Sequence, residues 1–370
     1  MSALAGVRVL DLSRLLPGPF CSLLLADHGA DVVKLEDTGD GDGLRASPPA
    51  FAALNRGKRC LRVDLKTEGG RDVLVRLARA ADVLLESFRP GVMERLGVGW
   101  ERLHAENPRL VYCAITGYGQ DGPLRGRAGH DINYLARVGL LALSGDAGGP
   151  PALSAGQIAD VGGGALMAAF GILAALRERE ASGEGQLVDV AMADGALSWL
   201  AMPAAAVLAG GPAPRRGDVE LGGRLLCYRV YRCADGWIAI GALEPKFWAA
   251  FCRGVGRADL VAHQLDPPGS PAHAEVEAIA AARTRAEWAA FAAEHDCCLE
   301  PLQELDEALA DQQVRARGMV TDGALAPPVK LSRTPPAPGP PPAEGTDAVL
   351  AEVGYGEAEI AALRAAGAVA

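Results

Sequence analysis

Short apolar runs alternate with helix-patterned segments through the first third of the chain. That alternation confines the fold to a largely parallel sheet covered by helices. Val7–Leu12 (VRVLDL) predicts a strand. Leu16–His28 predicts a helix, with Pro17 and Pro19 at its start and Gly29 just past its end, and Ala30–Glu36 the next strand. The pattern then repeats, with an amphipathic helix over Thr67–Ala80, a strand over Asp82–Glu86, a short helix over Trp100–Glu106 and a strand over Leu110–Thr116. A long helix over Val161–Glu180 and a strand over Gln186–Ala191 extend it. Parallel strands joined by helical crossovers place helices on both faces of one sheet.

The character changes after Asp194. Residues 195–222 are rich in Gly, Ala and Pro and read as a connection. CYRVYRCADGWIAIGAL, starting at Cys227, reads as a hairpin turning at Ala234-Asp235-Gly236. Helical patterns follow over Pro245–Val255 and Thr284–His295, which makes this part a separate α+β module. Residues 327–342 hold eight prolines in sixteen positions, an extended and semi-rigid tether. Helical patterns over Asp347–Val353 and Glu357–Ala365 close the chain. The expected organisation is a large domain over 1–194, a linker over 195–222, a small domain over 223–326, a Pro-rich linker over 327–345 and C-terminal helices over 346–370.

Composition excludes several classes. Hydrophobic residues make up 49% of the 370, ample for a packed core and incompatible with disorder. A net charge of −10 opposes general nucleic-acid binding, so any anionic ligand needs a local basic cluster. The eight cysteines include no Cys-x-x-Cys pair, which points away from a zinc site or a disulfide framework and towards a reducing compartment, the cytoplasm. The opening MSALAGVRVLDLS lacks the basic and apolar regions of a secretory signal. Of two uncharged stretches, 161–176 is short for a membrane span and 195–214 is broken by Pro203, Pro212 and Pro214. The second reads as a buried helix plus linker.

Four features carry candidate chemistry. Arg56-Gly57-Lys58-Arg59-Cys60-Leu61-Arg62 holds four cations and no acid, a surface run or an anion cradle, with Lys66, Arg89 and Arg95 further along. His130, in GHDINY, follows a loop placed after a strand, where open parallel sheets bind ligands. Asp160 precedes Gly162-Gly163-Gly164 and a long apolar helix. An Asp there is an ordinary helix cap, but three glycines in a helix are costly and suggest a close approach to the backbone. Glu244, before Pro245, reads by itself as a strand–helix boundary. A nicotinamide site fits poorly: SRLLPGPF has one glycine where a pyrophosphate loop needs three, although Glu36 stands where a ribose-binding acid would.

Together these residues resemble the family III coenzyme A transferases, and specifically their α-methylacyl-CoA racemase branch. The resemblance runs through VRVLDLSRLLPGP, ADHGADVVKLE, NRGKR, VDLK, FRPGVMERLG, TGYGQDGP, AGHDINY, ADVGGG, YRCADGWIAIGALEPKFW and VLAEVGYGEAEIAAL. It implies an α/β fold: a Rossmann-like large domain built from both ends of the chain, a smaller α+β domain between two linkers, and an interlocked homodimer. It implies that His130, Asp160 and Glu244 are catalytic, with His130 and Glu244 marking the racemase branch. Lys66, Arg89 and Arg95 are then assigned to the nucleotide end of CoA, with Phe88 beside them and Arg56, Lys58 and Arg59 as further candidates. Asp131 and Tyr134 are assigned to the pantetheine or thioester portion, and Gly162 and Gly163 to backbone approach by the thioester oxygen. The carrier is part of the substrate, so no metal and no cofactor beyond CoA is implied, and no nucleic-acid or membrane partner.

Racemisation at the α-carbon of a thioester removes a proton from one face and returns one to the other, through an enolate. It calls for two acid/base groups with pKa near working pH. A neutral His130 suits one face, and Asp160 suits the other if burial keeps it protonated against the pull of a helix N-terminus. Glu244 would orient His130 or stabilise its imidazolium. The alternative is a CoA transferase, in which an anionic Asp160 attacks the acyl-CoA and passes through an anhydride and an aspartyl-CoA thioester. A third reading, a non-catalytic CoA-binding protein, leaves the three retained acid/base residues without a task.

Overall fold

The computed structural model describes residues 2–321 and 323–370. They form two compact units. The first comprises Met1–Val138, Ser154–Trp199 and Ala316–Ala370, and the second Gly139–Leu153 and Leu200–Arg315. The segment Gly139–Leu153, expected inside the large domain, therefore belongs to the second unit, which also ends about ten residues earlier than the sequence implies. Within 195–214, expected as a buried helix plus linker, the helix is Ala201–Leu208, and none of its residues is buried.

The first unit is built on β1 (Arg8–Asp11), β2 (Asp31–Glu36), β3 (Lys58–Arg62), β4 (Val83–Glu86), β5 (Val111–Thr116) and β6 (Leu187–Ala191). The strand order is 3-2-1-4-5-6, every pairing is parallel, and a short strand, Ala343–Glu344, adds to β3 at the outer edge. This is the doubly wound Rossmann-like arrangement. The Pro-rich tether leads into that edge strand, held by bonds from the Gly57 N–H to the Pro340 carbonyl (2.6 Å) and from the Ala337 N–H to the Asp27 carbonyl (3.1 Å). The helices Thr346–Glu352 and Glu357–Ala365 then bury Val349, Leu350 and Ile360 in the core of the first unit.

Local signals account for the flanking helices. Pro17 opens the helix Pro17–Asp27, and Gly29, at φ +96°, turns the chain into β2. Thr67 caps Glu68–Arg79 by accepting the Gly70 N–H at 3.0 Å, and the apolar stripe Val73, Leu74, Leu77 and Ala78 is buried. Ile158–Ser182 is long and apolar enough to cross a membrane by length and composition. Here it packs against β5, β6 and the helix Pro17–Asp27.

β3 is the strand that the sequence analysis did not find. Its basic residues are internal ties, which corrects the anion-cradle reading. Arg56 bonds Asp27 (Nη2–Oδ2 2.6 Å), Arg59 bonds Asp31 (2.8 Å) and Glu352 (2.5 Å), and Lys58 is fully buried with its Nζ 3.1 Å from Asp11. Glu36 is likewise taken, by the Arg45 guanidinium at 3.0 and 3.1 Å, so it is not free for a ribose.

The second unit carries an antiparallel sheet of Tyr228–Cys233, Gly236–Gly241 and Leu299–Pro301. Cys233 pairs with Gly236, so Ala234 and Asp235 form a two-residue turn. Its core holds Trp248, Phe251, Trp288 and Phe291 from the helices Pro245–Gly254 and Arg285–His295.

Candidate active site

In a doubly wound sheet the crossovers on either side of the first strand diverge, and the loops leaving β1 and β4 open a crevice at their carboxyl ends. After β1, the Arg14 N–H donates to Ser87 Oγ (3.2 Å), and the Arg14 guanidinium lies 2.7 Å from Asp37 and 5.6 Å from the centre of the Phe88 ring. Leu15 has φ +63°, which costs a non-glycine residue about 1–3 kcal/mol. Its N–H is held by Asp42 Oδ1 at 3.1 Å, and Asp42 Oδ2 is 2.9 Å from the buried Lys34 ammonium. After β4, the Phe88 N–H donates to Glu86 Oε2 at 2.6 Å. Burial raises the Glu86 carboxyl to about 8, with Glu94 and Asp189 adding to the rise.

Between these loops lies a cavity of about 510 Å³. Arg14, Phe88 and Arg89 form one wall, and His130, Tyr134 and Asp160 another. A second cavity of about 440 Å³ shares Arg14 and Phe88 and reaches Lys66 and the loop after β2. The two form neighbouring compartments along the sheet's carboxyl edge.

His130 begins the helix Asp131–Arg137, where its backbone N–H donates to Asn133 Oδ1 (3.0 Å). Its ring is exposed, and among the described residues it makes no side-chain hydrogen bond. Asp160 lies in the first turn of a π-helical segment, Ile158–Leu166, that runs on into the helix Met167–Ser182. Its half-buried carboxyl is pushed up to about 6 by burial and then by the nearby Asp131, with His130 pulling the other way. Desolvation is the largest of these influences. Tyr134 is buried, and its hydroxyl donates to the Gly129 carbonyl at 2.6 Å. A Cβ on Gly117 or Gly129 would strike the Tyr134 ring at 2.5 or 2.7 Å, so both glycines are required by this tyrosine.

His130, Asp160, Tyr134, Phe88 and Arg89 therefore share one cavity, and Lys66 lines its neighbour. Arg95 lines neither, its guanidinium lying over Gly91. Glu244 stands in the second unit, exposed at the start of Pro245–Gly254, where its carbonyl accepts the Phe247 N–H (3.0 Å). Three assignments are corrected. Arg56 is paired with Asp27, as described above. Asp131 turns its carboxylate inward, accepting the N–H groups of Ala159 (2.6 Å) and Asp160 (3.0 Å) through Oδ1. The spaces beside Gly162 and Gly163 are filled by the protein itself: a Cβ on Gly162 would meet the Trp199 ring at 2.2 Å, and one on Gly163 the Met192 carbonyl oxygen at 2.6 Å. These glycines pack closely against the segment Met192–Trp199 and line neither cavity.

The sequence analysis missed Arg14, Arg125, Arg127 and Asn133 on the main cavity. Arg14 was within reach, since it follows the first strand at the switch point; the two other arginines sit in the loop GYGQDGPLRGRA. Among the described residues, no group of three His, Cys, Asp or Glu side chains converges as a metal site would require. The cations around the cavity suit an anionic ligand, and the acid/base pair suits proton or acyl transfer.

Comparison with known proteins identifies the family. Residues 4–348 match the family model described as CoA-transferase family III. The alpha-methylacyl-CoA racemase of Mus musculus is 40% identical, over 96% of this chain and 95% of that protein. The succinyl-CoA:mesaconate CoA-transferase of Haloarcula hispanica is 34% identical, over 92% of each. The crystal structure of a CAIB/BAIF family protein from Brucella suis superposes with a TM-score of 0.83 at 30% identity, covering 95% of this chain and 99% of that one. The chain belongs to CoA-transferase family III and is an enzyme of that family.

Proposed function

We propose that this enzyme racemises or epimerises α-methyl-branched acyl-CoA thioesters by two-base exchange of the α-proton. The observation that carries the reading is the presence of His130 and Asp160 on one cavity, with the Asp160 carboxyl raised to about 6. At that value roughly one Asp160 in ten keeps its proton at pH 7, against about one in a thousand for an ordinary aspartate. A neutral His130 takes the α-proton, the enolate forms, and protonated Asp160 returns a proton; for the other epimer the roles reverse. The reaction so written uses no cofactor beyond the CoA of the substrate.

A CoA transferase is the second reading. It is favoured by the Haloarcula relative and by the fact that most Asp160 is still anionic at pH 7, as a nucleophile must be. Proton NMR of a single-epimer α-methylacyl-CoA with the enzyme in D₂O separates the two. Loss of the α-proton signal with epimerisation supports racemisation. No exchange, together with CoA transfer to a free carboxylate and an adduct on Asp160, overturns it.

The CoA is placed along the two neighbouring cavities. Arg89→Ala and Lys66→Ala are expected to weaken acyl-CoA binding about tenfold each, an effect that fades at high salt, whereas Arg95→Ala changes it least. Calorimetric titrations with CoA at two salt concentrations check this; unchanged affinity in the first two variants places the nucleotide elsewhere. Self-association as a homodimer belongs to the same proposal. It is supported by exposed Leu166, Phe170 (71% exposed) and Leu173 along Ile158–Ser182, and light scattering giving a monomer mass would sink it. Work in a reducing compartment such as the cytoplasm is also proposed, in keeping with seven buried free thiols and one exposed.

A further inference from the structure

Asp131 occupies an unusual position for a residue next to a catalytic histidine. Its Oδ1 accepts two successive backbone N–H bonds, from Ala159 at 2.6 Å and Asp160 at 3.0 Å, across the gap between two helix starts. A carboxylate is thereby fixed against the backbone of the residue whose own carboxyl has to hold a proton. Like charges at such range disfavour a second ionisation.

We propose that Asp131 is a positioning residue for Asp160: it anchors the backbone that presents the Asp160 side chain, and its fixed negative charge opposes ionisation of that side chain. This rests on the proton-transfer reading for its purpose, since a transferase would gain nothing from a protonated Asp160. The rise of the Asp160 carboxyl to about 6, caused first by burial and next by Asp131, agrees with it.

The other charged groups around Asp160 bear on the size of the effect. His130 lowers the Asp160 carboxyl, and Tyr134, on the same helix as Asp131, feels the charges of both Asp160 and Arg89. Arg14, Arg125 and Arg127 line the same cavity. β6 carries Asp189, whose carboxylate accepts the Gln120 N–H at 3.1 Å, and the helix Met192–Ser198 carries the exposed Asp194. Asp131 is the acid that is bonded to the Asp160 backbone itself.

The test reads Asp160 directly. Asp160 is identified by the carbon-13 carboxyl resonance that disappears in Asp160→Asn, and that resonance is titrated in the full-length wild type and in Asp131→Asn, which keeps an oxygen acceptor and loses the charge. The midpoint is expected to fall by at least about half a pH unit, a roughly threefold loss of protonated Asp160 at neutral pH. If Asp131→Asn does not fold, Asp131→Ser, whose hydroxyl can accept the same N–H bonds, replaces it. An unchanged midpoint in a folded variant overturns the proposal, whatever happens to activity. Exchange of the substrate α-proton is followed in parallel. Its absence in the wild type defeats the racemase reading without touching the titration result, so the two failures are told apart.

Discussion

His130→Gln and Asp160→Asn are each expected to lower epimerisation of an α-methylacyl-CoA by about two to four orders of magnitude, the range typical for losing a positioned acid/base group. Both variants should stay folded. The His130 ring is exposed, and Asp160 is tied into the structure through its backbone N–H rather than its carboxyl. The two lesions should also differ in kind. In Asp160→Asn the remaining histidine can still remove a proton from one epimer and return deuterium to the same face. Slow washout with retention is then expected from that epimer, and from the opposite one in His130→Gln. Chiral chromatography combined with mass spectrometry in D₂O reads both quantities. Near-normal epimerisation in either variant removes the two-base assignment. A transferase responds differently, because Asp160→Asn destroys its nucleophile while His130→Gln leaves transfer largely intact.

The alternation of strands and helices was legible because buried parallel strands read as apolar runs, and β1, β2, β4, β5 and β6 all announce themselves in this way. β3 did not. KRCLR carries three cations in five positions; Lys58 is held by Asp11 and Arg59 by Asp31 and Glu352, partners remote in sequence. Local reading sees the charge and not the partner. The same limit hid the reason for Gly162 and Gly163: a glycine reports that something comes close, and only the fold shows that it is Trp199 and Met192. His130 and Asp160 were found through their motifs. The inward turn of Asp131 was not, because a carboxylate beside a histidine reads as a site residue until its backbone partners on a distant helix are known. Arg14 could have been found by asking which residue follows the first strand of a doubly wound sheet.

Lys58→Met is expected to destabilise the enzyme by about 3–5 kcal/mol, because it strands a buried anion. Asp11 is fully buried at the end of β1. It accepts the Ser13 N–H (2.9 Å), the Ser13 and Ser22 hydroxyls and the Lys58 ammonium, which also bonds Asn55 Oδ1 (2.9 Å) and the Pro19 carbonyl (3.0 Å). Burial alone would raise the Asp11 carboxyl, but Lys58 and Lys34 outweigh it with the two hydroxyls, and its pKa falls to about 2 from an ordinary 3.8. The folded value lies below the unfolded one. Asp11 therefore contributes stability that is present above pH 4 and is lost as pH falls towards 2, set against the cost of burying the Lys58 ammonium, whose pKa burial lowers to about 8. Without Lys58 the carboxylate loses its nearest cation, so the stability gap between variant and wild type should be widest near neutrality and narrow as acid protonates Asp11. Replacing both partners, as in Asp11→Asn with Lys58→Met, should cost less than Lys58→Met alone, since no unpaired charge remains. Urea denaturation of all three proteins from pH 3 to pH 7 measures this, and a gap that is constant with pH would reject the charge-pair account. The network also reaches the cavity. Ser13, bonded to Asp11, leads directly into Arg14 and Leu15, and the Lys34 ammonium holds the Ser13 carbonyl at 2.9 Å. Loosening the pair should therefore weaken acyl-CoA binding in the still-folded fraction, which ties the stability of the β1 end to the shape of the crevice above it.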